Sequence, residues 1–338
     1  MALASFLPLV EGLRCSAFRS SARGEAHCCG RRLSTKAARI TIPTNHKYLG
    51  GALANNGLVV GIPSHARGVL KITPGTAATS VLFGDLALRD EQPSKFKWLR
   101  GIPIGNSVFG IPCWSNKVLE IDCASEEVHT FGDLPVSPTN WNWHGGALGP
   151  DGLIYGIPCN AEHVLAIDPE RREAWLVGER LEGRNKWYGG ILSPIDGSII
   201  GIPYSGSQVL KISPGCNVSL LGDFGTSGWK WHGGVLCADG SSVYGFPSHA
   251  EHVLKVVPGK DEAFTIGDSL GPGRYKWGGG CNGADGAVYG IPSDTDTVLR
   301  IDPATDEVTT FGKEQLSMEK NKWQGAVSAP NGMIYGEL

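Results

Sequence analysis

Apolar residues in this chain come in short runs of four to six, each closed by glycine, proline or a turn-forming pair. The run Leu153-Ile154-Tyr155-Gly156-Ile157-Pro158 is followed by a five-residue loop, then Val164-Leu165-Ala166-Ile167, then Asp168-Pro169 and a half-apolar stretch from Glu173 to Gly178. Runs of this length between turn formers predict strands and are too short for helices. With Trp143-His144-Gly145-Gly146 ahead of them they make four strands, here called a, b, c and d. Asp151-Gly152, Asp196-Gly197, Asp239-Gly240, Asp285-Gly286, Asn56-Gly57 and Asn331-Gly332 supply tight a-b hairpin turns. Proline at 74, 169, 214, 258 and 303 marks the c-d turn.

The unit repeats. Tyr155 to Pro158 has counterparts at Val60 to Pro63, Phe109 to Pro112, Ile200 to Pro203, Tyr244 to Pro247 and Tyr289 to Pro292, with a seventh begun at Tyr335-Gly336. The seven glycines lie 49, 46, 45, 44, 45 and 46 residues apart, and an aromatic precedes each: Tyr48, Trp98, Trp143, Trp187, Trp231, Trp277 and Trp323. Four antiparallel strands repeated at this period predict an all-β, seven-bladed β-propeller with four-stranded blades, its repeats starting near 47, 97, 142, 186, 230, 276 and 322. The last repeat covers only strands a and b. Arg39-Ile40-Thr41-Ile42-Pro43 stands in the register of a strand d and is expected to close that blade, leaving it without strand c. The alternative is a final blade cut short.

Antiparallel order puts the b-c loops and the d-a connections on one face of such a ring, and the turn formers on the other. Two constellations fall on the first face. Lys47, Lys97, Lys186, Lys230, Lys276 and Lys322 precede the repeated aromatic, with Asn142 the one break. They read either as a ring of amines for an anionic ligand or acidic partner, or as stems laid on the neighbouring tryptophan with the amine in water. The residue after the aromatic varies: Leu49, Leu99, His144, Tyr188, His232, Gly278 and Gln324. His144, Tyr188 and His232 share that register, and the b-c loops add His65, His163, His249 and His252. Imidazole serves as a metal ligand or as a base near neutral pH. No carboxylate shares the register, so neither a metal nor any catalytic residue is assigned; a divalent site would need a loop carboxylate such as Glu162, Glu251 or Asp294 to converge on His144 and His232.

Composition narrows the function classes. Of 338 residues, 48 are glycine, which disfavours long helices, and the apolar runs are far too short to cross a membrane as helices. Six of the 30 basic and two of the 33 acidic residues lie in the first 36, where Ser and Ala abound. That segment is expected to be a disordered organelle-targeting sequence, mitochondrial from Arg31-Arg32-Leu33-Ser34, with plastid as the alternative. The body, 37–338, then carries 24 basic against 31 acidic residues, which argues against nucleic-acid binding. Nine cysteines contain no C-x-x-C pair and read as reduced thiols.

The unit Gly149-Pro150-Asp151-Gly152-Leu153-Ile154-Tyr155-Gly156, continued by Val164-Leu165-Ala166-Ile167-Asp168-Pro169, resembles the repeats of the NHL, SMP-30/gluconolactonase and virginiamycin B lyase group of propellers. The likeness spans nearly all of residues 47–338. The lyase repeats carry a Trp-Phe-Thr-Glu-like string where this chain has Tyr-Gly-Ile-Pro. The gluconolactonase group implies carboxylates and amides about a metal, and no such set is placed here, so the resemblance carries a blade pattern without a catalytic signature. The expected function is a monomeric binding or scaffold propeller without a cofactor, engaging a protein or anionic small molecule through the Lys, Trp and His face. The alternative is a metal-assisted lactonase- or lyase-like enzyme at the channel mouth, acting through His144 and His232.

Overall fold

A computed structural model describes residues 17–19, 47–74, 79–84, 95–137 and 140–337. Its strands form six four-stranded antiparallel sheets and one of three strands. The second sheet, Trp98–Ile104, Ser107–Pro112, Val118–Asp122 and Glu127–Phe131, and the third, Trp143–Leu148, Ile154–Pro158, Val164–Asp168 and Glu173–Val177, show the a-b-c-d order that all six follow. The only helical turn among the described residues is the short 3-10 segment Pro258–Lys260. In the seventh sheet, Gly325–Ser328 pairs with Met333–Glu337, and the third strand, Ala17–Arg19, pairs with the latter. The segment expected to close this blade, residues 39–43, lies outside the described residues, as does most of the expected targeting segment.

Two compact units share the chain: Thr35–Asn185 with Pro214–Val218, and Lys186–Ser213 with Ser219–Leu338. Within each, the core lies between the faces of neighbouring sheets. Val60 and Ile62 of the first sheet pack with Trp98, Val108, Leu119 and Ile121 of the second. Tyr244, Phe246 and Val253 of the fifth pack with Trp277, Val288 and Leu299 of the sixth. Strands b and c are buried almost throughout, while strand d is largely exposed. A β-strand buried on both faces needs a continuous apolar run, which is why b and c read as Ile-Tyr-Gly-Ile-Pro and Val-Leu-Ala-Ile.

Two glycine positions make the packing possible. A Cβ on Gly156 would stand 3.1 Å from Leu165 Cβ and 3.5 Å from the Trp143 ring, so the glycine of Tyr-Gly-Ile-Pro lets the tryptophan of strand a lie over strand c. The tryptophan then donates its indole N–H to a carbonyl of its own b-c loop: Trp98 to Lys117 (2.7 Å), Trp143 to His163 (3.0 Å), Trp187 to Gln208 (2.6 Å), Trp231 to His252 (2.9 Å) and Trp277 to Thr297 (2.8 Å). In the following glycine pair, a Cβ on Gly146 would meet the Tyr155 carbonyl oxygen at 2.4 Å.

The turn face is tied by a second repeated device. The third residue of strand c reaches a residue of the next sheet's c-d turn that is held at positive φ. Lys71 meets Glu126, Glu120 takes Arg172 in a two-point contact at 2.7 and 3.3 Å, Lys211 meets Asp261, and Lys255 meets Asp306 at 2.6 Å. Lys211 also binds Asp196 at 2.7 Å and donates to the Pro258 carbonyl at 2.8 Å. Burial raises the Asp196 pKa, but hydrogen bonds from Lys211 and Ser198 overcome it and bring the carboxyl down to about 2. A depressed carboxylate adds stability above its unfolded pKa of about 3.9 and loses it as pH falls toward the folded value. Stability in denaturant titrations is therefore expected to fall between about pH 4 and pH 2, and Asp196→Asn is expected to flatten that part of the profile.

Candidate functional site

The lysines that precede the tryptophans are buried joints. Lys97 Nζ donates to the Ser64 and Ala66 carbonyls at 2.9 and 2.7 Å, Lys276 to Ala250 and Gly271 at 2.8 and 3.2 Å, and Lys322 to Thr295 and Glu319 at 2.7 and 2.8 Å. Lys230 donates to Gly225 and Ser227 at 2.9 and 3.2 Å. Each of these amines therefore closes the d-a connection that leads into its own strand a, the b-c loop of the preceding sheet, or both. The backbone repeats the joint: Lys97 N–H donates to the Ser64 carbonyl, and the Lys97 carbonyl accepts from Cys113 of its own loop. Asn142 breaks the lysine series without breaking the joint, since its amide donates to the Cys113 and Ser137 carbonyls at 3.0 Å each. Lys186 is likewise buried, with its amine 5.8 Å from the Trp187 ring centroid. At Lys97, Lys230, Lys276 and Lys322 the amine is thus turned inward rather than out over the face or into water, because two carbonyls take up each of these ammoniums. Burial pushes Lys230 down to about 8 and lowers Lys276 and Lys322 in the same direction.

The residue immediately before the lysine is where the repeats diverge. At that position Phe96, Asn185, Trp229, Tyr275 and Asn321 all have positive φ, between 49 and 63°. Asparagine tolerates this left-handed conformation; a bulky aromatic there is an outlier that costs on the order of 1 kcal/mol or more. Three repeats nonetheless carry an aromatic, and its ring joins a cluster.

In the second unit the cluster is an array of six rings. Tyr188 stacks on Tyr204 with centroids 4.3 Å apart, Tyr204 faces Trp229 at 5.0 Å, and His232 meets both tyrosines edge-on at 5.8 and 5.9 Å. Trp229 stacks on His249 at 5.7 Å, and Tyr275 closes the array against Trp229 at 5.1 Å and His249 at 4.7 Å. Tyr204 is buried and the other five are half-buried. His232 Nδ1 lies 2.8 Å from the Gly278 carbonyl. His249 bonds to the Gly228 backbone, and its Nε2 is buried with no hydrogen-bond partner among the described residues. Burial, then the charges of Arg274 and Lys276, lower the His249 pKa below its ordinary 6.5. The neutral ring thus presents a bare acceptor.

In the first unit His65, Phe96, Trp114, Trp141 and His144 form a second chain of ring contacts, from 4.3 to 6.1 Å, over Leu49, Leu99 and Cys113. Here His144 is only 4% exposed. The sequence-derived candidates therefore divide. Tyr188, His232 and His249 come together in one unit, and His65 and His144 join one cluster in the other. His163 and His252 serve their loops, offering carbonyls to Trp143 and Trp231. Sequence reasoning missed Trp229, Tyr275, Phe96 and Trp141; the signal was the alternation of aromatic and asparagine just ahead of the lysine.

The loop carboxylates weighed for a metal are engaged otherwise. Glu162 pairs with Arg180 at 2.7 Å, Glu251 accepts from Ser269 at 2.5 Å, and Asp294 accepts the Asn321 amide at 2.8 Å. Among the described residues no group of three or more His, Cys, Asp or Glu side chains converges as a metal site requires. The six described cysteines are free thiols. No helix among the described residues is long and apolar enough to cross a membrane.

No protein-family profile and no curated protein matches the chain. Solved structures do match. A streptogramin B lyase is 12% identical with a TM-score of 0.63, the match covering 88% of this chain and 92% of the lyase. A virginiamycin B lyase from Staphylococcus aureus is 12% identical with a TM-score of 0.61, covering 88% of this chain and 96% of that one. A Bacteroides uniformis protein assigned as a 6-phosphogluconolactonase is 12% identical with a TM-score of 0.56, covering 78% and 84%. At these identities the likeness establishes the fold: the chain is an all-β protein of the β-propeller type, and it resembles the lyase and lactonase-like propellers.

Proposed function

We propose that this protein is a recognition module that binds a planar, ring-bearing small molecule against the array of Tyr188, Tyr204, Trp229, His232, His249 and Tyr275. The carrying observation is the backbone at Trp229 and Tyr275: left-handed φ at a position where sister repeats use asparagine, retained for residues that disfavour it. Strain kept in this way at clustered aromatics supports a role beyond packing. Stacking on the rings supplies affinity that tolerates variety in the ligand. The bare Nε2 of His249 adds direction, favouring a ligand with an N–H or O–H donor, and Arg274 beside it favours one with negative charge.

The test separates recognition from packing. Trp229→Asn and Tyr275→Asn relieve the strain, so their melting temperatures are expected to stay within about 3 °C of wild type, a net change near 1 kcal/mol. Ligands drawn from a panel of aromatic carboxylates and nucleotides, detected by tryptophan quenching and thermal shift, are expected to lose at least tenfold in affinity in these variants. In His249→Phe, which keeps the ring and removes the acceptor, the loss is expected to be similar. Wild-type affinity is expected to fall as pH drops through the lowered His249 pKa, because the protonated ring turns Nε2 into a donor. Variants that lose more than ~2 kcal/mol of stability with unchanged binding would show that the rings are core.

A further inference from the structure

One side chain in the first unit breaks the repeat more sharply than any in the aromatic array. After the tryptophan or tyrosine of strand a, the second following residue is glycine in six repeats: Gly50, Gly145, Gly189, Gly233 and Gly279, all at positive φ between 72 and 154°, and Gly325 in the last. In the second repeat it is Arg100, at φ 62°. The register of strand a against strand b slips between Leu99 and Gly101, so Arg100 is the bulged residue, with no partner across the ladder. A bulge re-aims the side chain it carries, and bulges gather at functional sites.

The neighbouring strand is built to admit it. Gly50, on strand a of the first sheet, lies so close that a Cβ there would stand 3.0 Å from Arg100 Cα and 3.7 Å from its Cγ. The paired arginines of this chain behave differently. Arg172 and Arg180 each have a carboxylate at 2.7 Å, and Arg300 lies within 3.7 Å of Asp285 and 3.5 Å of Asp302. Arg100 has no carboxylate partner among the described residues. Its surface is exposed, while desolvation of the guanidinium by the surrounding protein lowers its pKa; carboxylate or tyrosine partners raise those of Arg172, Arg180 and Arg300.

We infer that Arg100 is the anchor of an oxyanion site: a guanidinium carried on a bulge where sister repeats keep glycine, placed to take the carboxylate or phosphate group of a small molecule. Its planar fork matches either group with two parallel hydrogen bonds, and the anion supplies a counter-charge that no carboxylate among the described residues provides. This assignment stands apart from the aromatic array and does not depend on it.

The experiment uses the full chain and inorganic phosphate, with sulfate and citrate as further arms, each at millimolar concentration against chloride of equal ionic strength. At ten times its dissociation constant the bound anion is expected to raise the melting temperature by about 3 °C. Arg100→Gly, which restores the residue of the sister repeats, is expected to melt at least as high as wild type in chloride and to show no anion shift. Arg171→Gln, at an exposed arginine, is expected to keep the full shift. A citrate response exceeding that to phosphate and sulfate assigns a carboxylate ligand, and the reverse assigns a phosphate-like one. The inference is overturned if none of the three anions shifts the wild type, if Arg100→Gly shifts equally, or if Arg100→Gly melts well below wild type in chloride, which would make the arginine a structural tie.

Discussion

Glu120→Lys is expected to destabilise the fold by about 3 kcal/mol, and Arg172→Glu in the same chain to recover most of that loss. Glu120 is 5% exposed and engages Arg172 through two hydrogen bonds. Reversing one charge leaves two cations together with one of them buried, and breaking a buried pair typically costs about 3–5 kcal/mol. The lower end applies here because Arg172 is half exposed. The double variant reproduces an arrangement the protein already uses one repeat earlier, where Lys71 on strand c meets Glu126 in the next c-d turn, also at positive φ. Equilibrium unfolding in denaturant measures all three states. A coupling energy near zero in the double-variant cycle would mean that the two residues act independently and that the cross-sheet tie is ornamental.

Lys230→Met is expected to cost about 2 kcal/mol, because methionine fills the space but removes two hydrogen bonds, each worth about 1 kcal/mol net, to the Gly225 and Ser227 carbonyls, which lie on an exposed connection and can turn to water. The cost is expected to grow with alkalinity. Burial lowers the Lys230 pKa to about 8, below the unfolded value of about 10.4. The unfolded chain therefore holds more protons than the native one across that window, and the wild type gains stability from this group as pH rises from about 8 to about 10.4. A neutral amine still has two N–H donors for its two carbonyls, so the joint survives deprotonation. The methionine variant has nothing to titrate, and the gap between the two proteins should widen between pH 8 and pH 10. Lys230→Asn, by analogy with Asn142, is expected to recover part of the loss. A parallel pair of pH profiles would show that the amine is not held as described.

The sheets were legible because turn chemistry is local. An Asp-Gly or Asn-Gly pair fixes a hairpin wherever it stands, and six such pairs across seven repeats at one period leave little freedom in the fold. The lysines were legible as a repeat but not as to direction: a side chain one residue ahead of a tryptophan reaches water or backbone carbonyls according to how the preceding loop folds over it, and that loop is set by the neighbouring sheet. The backbone part of His163 and His252, whose carbonyls accept from Trp143 and Trp231, was not legible for the same reason. Trp229 and Tyr275 escaped because no one repeat marks a left-handed backbone; only the alternation with Asn185 and Asn321 reveals it. Arg100 was visible as the one place where a full side chain interrupts the paired glycines, a departure that means little until the bulge is seen. The strand paired to the seventh sheet, Ala17–Arg19, carries too little pattern in three residues to be read ahead of the structure.

The lysine joints also set how strain and damage travel. Each joint either spans two neighbouring repeats or clasps the connection between them, so no repeat is complete within its own sequence boundaries. Within either unit the free energy is then a sum over links between adjacent repeats as much as over the repeats themselves, the situation described for linear arrays with nearest-neighbour coupling. A lesion in one link loosens two sheets and leaves the next link intact. Swapping or duplicating repeats should accordingly succeed when the cut falls inside a sheet, between strands, so that both halves of a lysine joint move together, and fail when it follows the sequence period.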